Sequence, residues 1–279
     1  MIRTLFQLFR TGCVTQRDLF PALPAYNRGL PQVTDLPCQA HQGCSACVEA
    51  CPTDAISLTR ESQAGGITLD LGRCIACGGC MTTCPTGTIT EDKRTTVAVR
   101  RREDLVLTNR VPGTPDESAG PAGGLPEPNR PPVTTPFRRS IHLREVSTGD
   151  NASDLEVAAA NNPIFDASRF GIHFVASPRF ADALIVTGPV ARAMHEPLRR
   201  CYDAMAEPRL VIAAGAAAIS GGLHHHSYAQ AEGAAPIVPV AVYIPGHPPH
   251  PWYILHGILL AMGHPDALPS TVPVPVPKK

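Results

Sequence analysis

Residues 74–85 read CIACGGCMTTCP, that is Cys74-x-x-Cys77-x-x-Cys80-x-x-x-Cys84-Pro85. Three thiols at spacings of three, with a fourth four positions on and a proline after it, suit an iron–sulfur cubane. The three close cysteines reach three corners of one cluster. The distant one ligates the other cluster of a pair. Upstream, residues 44–58 read CSACVEACPTDAISL and repeat the plan as Cys44-x-x-Cys47-x-x-x-Cys51-Pro52. The usual spacing would place a cysteine at position 41, where the chain has His41, while Cys38 stands six positions before Cys44. We read Cys38 as the displaced ligand, with Gln39–Gly43 as a longer loop; His41 in its place is the competing reading.

The crossover rule then assigns Cys38, Cys44, Cys47 and Cys84 to cluster 1. It assigns Cys74, Cys77, Cys80 and Cys51 to cluster 2. Two [4Fe–4S] clusters are therefore the expected cofactors. Zinc prefers separated Cys-x-x-Cys pairs without the crossing run. Disulfides suit secreted chains, and residues 1–10 lack the apolar run and small-residue cleavage site of a secretory signal. Each half of the repeat reads as cysteine loop, short helix and short strand, the strands at Ala55–Leu58 and Thr88–Thr90. Gly78 and Gly79 are expected to let the backbone approach the sulfurs.

Working outward, the chain has 279 residues and zero formal net charge. That length suits about two domains, and nothing in the charge points to nucleic acid. Residues 1–37 open with an amphipathic stretch, in which Ile2, Leu5, Phe6, Leu8 and Phe9 lie beside Arg3 and Arg10, and continue as a proline-rich lead. That stretch suits a membrane surface or a protein partner. Residues 38–110 hold the cysteine array. Residues 111–136 are rich in Pro and Gly and read as a linker. Residues 137–266 form a second unit, and the Val-Pro tail 267–279 suits a polyproline conformation. No run of about 18 apolar residues predicts a transmembrane helix. Cys13 and Cys201 stand outside the array and read as an incidental thiol and a packing residue.

In the second unit Gly171–Ala176, Ala183–Thr187, Leu210–Ala214 and Val238–Tyr243 are apolar runs of strand length. Pro189–Met205 and Ala152–Ala160 have helical character. Strand–helix alternation predicts an open, mostly parallel sheet, flavodoxin-like in outline. The fold class is thus an α+β two-cluster ferredoxin domain followed by an α/β domain. No phosphate loop, dinucleotide fingerprint or Ser-His-Asp arrangement stands out, so no catalytic residue is named.

Residues 1–110, with the IRTLFQLFRTG start, the cysteine runs and the Leu71-Gly72-Arg73-Cys74 approach, resemble the two-cluster ferredoxin subunit of complex I. The same subunit type serves energy-converting [NiFe] hydrogenases, including formate hydrogenlyase. Residues 137–266 resemble the small subunit of those complexes, which is the B type in complex I. The stretches that match are FRRSIHLREV, FGIHFVASPRFADALIVTGPV, RLVIAAGAAAISGG and VPVAVYIPGHPPHP. The resemblance implies a fusion of two neighbouring subunits. It implies as partners a large catalytic-type subunit, membrane-arm subunits and a redox donor protein. It places the chain in the cytoplasm, peripheral on the inner face of the cell membrane.

In that family the second domain holds one more cluster in loops at the carboxyl ends of the strands. At the four ligand positions this chain has Asp150, Ser153, Ala217 and His247, in a first loop one residue shorter than usual. Alanine has no donor atom, so no third cluster is expected there. A mononuclear metal at Asp150, Ser153 and His247, and metal at His250 or His224-His225-His226, are weaker readings than a polar loop at a subunit interface. The resemblance thus implies an electron-transfer subunit whose second domain serves as a docking scaffold. The alternative is a quinone- or proton-reducing oxidoreductase subunit with a rerouted electron path.

Overall fold

The structure is a computed structural model that describes residues 2–11, 18–59, 66–109, 136–149 and 152–267. Cys13, Asp150, nearly all of the linker and the tail beyond Ala267 lie outside the described residues.

The first ten described residues form helix α1 (Ile2–Thr11), with Phe6 and Phe9 exposed. The lead then supplies β1 (Leu30–Val33), and α2 (Ala46–Glu49), β2 (Ile56–Thr59), β3 (Gly66–Asp70), α3 (Gly79–Thr83), β4 (Ile89–Asp92) and β5 (Val106–Thr108) follow. β1 pairs antiparallel with β4, and β3 sits between β2 and β5 in a second antiparallel sheet. The loop–helix–strand repeat is realised: α2 leads into β2, and α3 into β4. The two short helices lie against each other.

The second domain runs β6 (Ile141–Ser147), α4 (Ser153–Ala159), β7 (Ile172–Phe174), β8 (Ala183–Thr187), α5 (Arg192–Asp203), β9 (Leu210–Ala214), α6 (Ala216–Ser220), β10 (Val242–Ile244) and α7 (Pro251–Met262). Its five strands are all parallel, in the order β10-β9-β8-β6-β7. Every residue of β8 is buried. An unbroken apolar run is what a strand covered on both faces requires.

Three details differ from the sequence reading. The helix read from Pro189 starts at Arg192, because Val190 sits at φ 48° and breaks the helical path. The strand read from Val238 starts at Val242; Val238 is instead buried in the apolar cluster beneath α5. β6 and α7 were not anticipated as elements. α7 is buried on every side, and its uniform apolarity erases the helical period that reveals a surface helix.

The reason α7 is buried is that the two domains share one core. A single apolar cluster takes in Leu30, Ile56, Leu69 and Ile89 of the first domain, and Leu143, Ile185, Ile212 and Ile244 of the sheet, with α7 among them. Phe20 packs edge-on against the rings of Trp252 and His256 on α7. The Ala98 N–H donates to His256 Nδ1 at 3.1 Å, and Arg100 donates to Leu260 O at 2.8 Å. Val99 and Tyr243 exchange two backbone hydrogen bonds of 3.0 and 2.8 Å. The first domain thereby covers the β10 edge, which would otherwise present unpaired amides.

Candidate metal centres

None of the nine described cysteines is in a disulfide. The two short helices sort eight of them. Cys47 lies within α2 and Cys80 within α3, while Cys51 and Cys84 lie just past the helix ends. The charges that act on each thiol show which neighbours face it. Cys38 feels Cys84 and Cys44, and Cys47 feels Cys38, Cys84 and Cys44. Cys74 feels Cys80, Cys51 and Cys77, and Cys80 feels Cys77, Cys51 and, across the gap between the helices, Cys47. The chain therefore brings together Cys38, Cys44, Cys47 and Cys84 in one quartet. Cys51, Cys74, Cys77 and Cys80 make the other, and together they line a small internal cavity with Pro31 and Ile56. Cys38 stands in the first quartet, and the side chain of His41 lies outside the described ones.

Burial above all pushes these thiols up: Cys47 and Cys80 to about 11, Cys74 to about 12. At Cys47, Cys74 and Cys80 this favours the protonated thiol until a cation binds. Binding iron drives off the protons and turns thiols into thiolate ligands. Cys84 goes the other way. Burial would raise it, but the backbone amide of Ile89 and the hydroxyl and amide of Thr86 outweigh that and hold it below the usual thiol value. Amides also aim at sulfur elsewhere. Ala55 N–H donates to Cys51 Sγ and Ala76 N–H to Cys74 Sγ, each at 3.3 Å. Such bonds favour the negative sulfur and tune the potential of a bound cluster.

The donor set fits the group. Four sulfurs per site, no oxygen ligand and a largely apolar wall suit iron–sulfur chemistry. Among the described residues no three His, Cys, Asp or Glu side chains converge as the ligands of a single ion would. The loops are held by groups the sequence did not single out. Arg28 donates to the carbonyls of Cys77 and Ala76 and packs over Gly78, which sits at φ +81°. A Cβ at Gly78 would lie 3.1 Å from that side chain, so both conformation and space call for glycine. Asp70 accepts two bonds from Arg102, at 2.7 and 2.6 Å, and one from the Gly72 amide. That fork fixes the Leu71–Arg73 approach to Cys74.

At the second domain, the loops that follow β6, β9 and β10 meet at the carboxyl edge of the sheet, where ligands of open α/β sheets bind. A Cβ on Gly215 would stand 3.0 Å from Ser153 Oγ and 3.4 Å from Gly246 O, so these loops are in contact. The amides of Gly215 and Ala216 donate to Ile244 O and Gly246 O, both at 2.8 Å. Ser153 and Ala217 are buried there. His247 is half-buried, with an Nδ1 that has no hydrogen-bond partner among the described residues. Burial first, then His224, lowers the pKa of His247 and keeps it neutral. Three of the four positions considered from sequence thus lie at one edge, and Asp150 is outside the described residues. His225 faces Asp54 at 3.6 Å and His226 faces Glu232 at 2.7 Å.

That edge abuts the second quartet. Ser220 Oγ donates to Gly72 O at 2.8 Å, two residues before Cys74, and Asp54, the partner of His225, lies three residues after Cys51. Nothing in the sequence marks Ser220 for this, because its partner is 148 positions away.

Among the described residues no helix is long and apolar enough to cross a membrane. Residues 40–88 match the 4Fe-4S dicluster domain, and the chain carries two [4Fe–4S] clusters. Residues 151–261 match the NADH ubiquinone oxidoreductase, 20 Kd subunit family. The chain is 44% identical over 128 residues to formate hydrogenlyase subunit 7 of Escherichia coli, covering 46% of this chain and 50% of that one. It thus spans half the length of that relative. A probable membrane-bound hydrogenase subunit, mbhJ, of Pyrococcus furiosus is 42% identical over 44% of this chain and 75% of its own. The B 2 subunit of NADH-quinone oxidoreductase from Rhizobium etli is 45% identical over 44% of this chain and 74% of its own. With a 20 Kd-type domain this similar, joined behind a dicluster domain, the chain belongs to the NADH ubiquinone oxidoreductase 20 Kd subunit family.

Proposed function

We propose that the chain is an electron-transferring subunit of a membrane-associated, complex I-like or hydrogenase-like assembly, in which the second domain docks partners without a cluster of its own. The observation that carries this reading is a contrast in donor atoms. Eight thiols stand in two interlocked quartets, while Ala217 occupies the third-cluster edge and Cys201 is the sole cysteine after residue 84. When bound, the clusters supply one-electron chemistry; the chain's own residues position them, bury them and set their potentials through N–H···S bonds. In this reading Cys38, Cys44, Cys47 and Cys84 hold one cluster, and Cys51, Cys74, Cys77 and Cys80 the other. The second lies nearer the shared interface, so it is the exit toward the carboxyl edge. The large catalytic-type subunit would sit on that edge, with membrane-arm subunits beyond it and a redox donor on the first-cluster side. The site of action is the inner face of the cell membrane.

Iron analysis and low-temperature spectroscopy of the anaerobically purified chain test this. About eight iron atoms per chain are expected, in two cubanes. About twelve, or a third paramagnetic centre, would remove the scaffold reading. A chain that fills with zinc alone would remove the electron-transfer reading.

A further inference from the structure

The sheet of the second domain has a gap. β7 pairs with β6 only over Ile141–Leu143, whereas β8 follows β6 from Leu143 to Ser147. Among the described residues, Arg144–Ser147 therefore have a strand on one side only. At this margin lies an open cleft of about 430 Å³. Its floor is the β6 margin, one wall is Asp154 on α4, and the other is Met194, Pro197 and Cys201 on α5. The cleft is thus the space a longer β7 would fill.

A second observation falls in the same place. Glu145 Oε1 is buried with no hydrogen-bond partner among the described residues. Side chains alternate along a strand. Val146 packs into the cluster under α5, so Glu145 and Ser147 point to the other face, where Ser147 donates to Asp154 at 2.6 Å. Two carboxyl groups therefore share one side of the gap. Burial, and after it the charge of Asp154, raise Glu145 to about 7, and the neighbouring charge of Arg144 offsets them only in part. On the opposite face of the gap, Met194 and Cys201 pack with the apolar cluster.

From these features we infer that the β6 margin accepts an extended segment of a partner protein as an added strand, with a basic side chain toward Glu145 and Asp154 and apolar side chains toward Met194 and Cys201. Main-chain bonds to an exposed strand edge supply the affinity of such additions, and alternate side chains supply the selectivity. The carboxylates choose the sign of the charge, and a donor delivered to Glu145 Oε1 satisfies a buried acceptor. This inference is independent of the clusters, since the cleft lies among β6, α4 and α5.

The test is hydrogen exchange, read residue by residue on the full cluster-loaded chain, with a capped peptide of alternating Val and Lys as probe. Slowed exchange at the Glu145 and Ser147 amides is expected on adding the peptide. Methylating alternate peptide amides, which removes donors to the margin, should abolish it. Glu145→Gln should weaken binding about tenfold, the cost of one charge-assisted bond. A Val-Glu peptide should not bind the unaltered chain, which checks the charge rule without a variant. The idea is overturned if both amides are already slow in the chain alone, if the methylated peptide protects equally well, or if the Val-Lys peptide gives no protection.

Discussion

Residues 38–84 and the carboxyl edge of the second domain use the same device: loops at the ends of short elements carry side chains into a common space. In the first, every converging position is a cysteine, and burial drives Cys74 up to about 12. In the second, the converging positions are Ser153, Ala217 and His247, and the loops close on one another through backbone bonds such as Ala216 N–H to Gly246 O. The difference shows that one loop architecture can present quite different donor sets. What the second edge offers is packing and hydrogen bonding, including the seam that joins it to the Cys74 approach.

The largest effect that could break this contrast is in iron content. Cys51→Ala and Cys84→Ala should each lower iron from about eight to about four atoms per chain, leaving spectroscopically different single clusters. His247→Ala and Ser153→Ala should leave the count unchanged. A fall of about four iron atoms in either would erase the distinction between the two regions.

Next comes the shared core. His256 is buried in neutral form, its Nδ1 accepting from Ala98 and its Nε2 3.2 Å from Ala267 O. Burial lowers its pKa from 6.5 to about 4. Between those values the unfolded chain binds a proton that the folded one refuses. Stability from this group is therefore complete above pH 6.5 and is lost as pH falls toward 4, by about 3 kcal/mol in all. Protection of the Ala98 amide from exchange, corrected for intrinsic rates, should decline over that window. His256→Gln should flatten the decline; an unchanged slope would mean another group controls the junction.

A smaller cost attends the fork at the cluster approach. Arg102→Met should cost about 2 kcal/mol, as expected for a charge-assisted bidentate bond that is only partly exposed. It should also shift the potential of the second cluster more than that of the first. The smallest effect is at the seam. Ser220→Ala should cost about 1 kcal/mol, read as faster exchange around Gly72 with iron content intact.

Legibility differed along the chain for physical reasons. β8 and β9 were plain because burial on both faces demands unbroken apolar runs. β6 was not, because Arg144, Glu145 and Ser147 interrupt it; they are tolerated where the strand has, among the described residues, one neighbour only. α7 was hidden by its own uniformity. Among site residues the eight cysteines were legible, whereas Arg28, Asp70, Arg102 and Ser220 were not. Each acts on a backbone group or side chain far away in sequence, and no local pattern announces such a bond.

The sequence by itself determined the chemistry of the first domain. Ligand spacing around a cubane is a short-range geometric demand, so the order of cysteines, glycines and prolines carries it. It also determined that the second domain lacks a thiol set, since composition alone settles that. Only the tertiary structure decided that the two domains share a core across α7, that the second quartet abuts the edge without thiols, and that β6 keeps an open margin. Those features rest on contacts such as Ala98 to His256, 158 positions apart. Contacts at that distance are selected by the packing of whole surfaces, which no stretch of sequence contains.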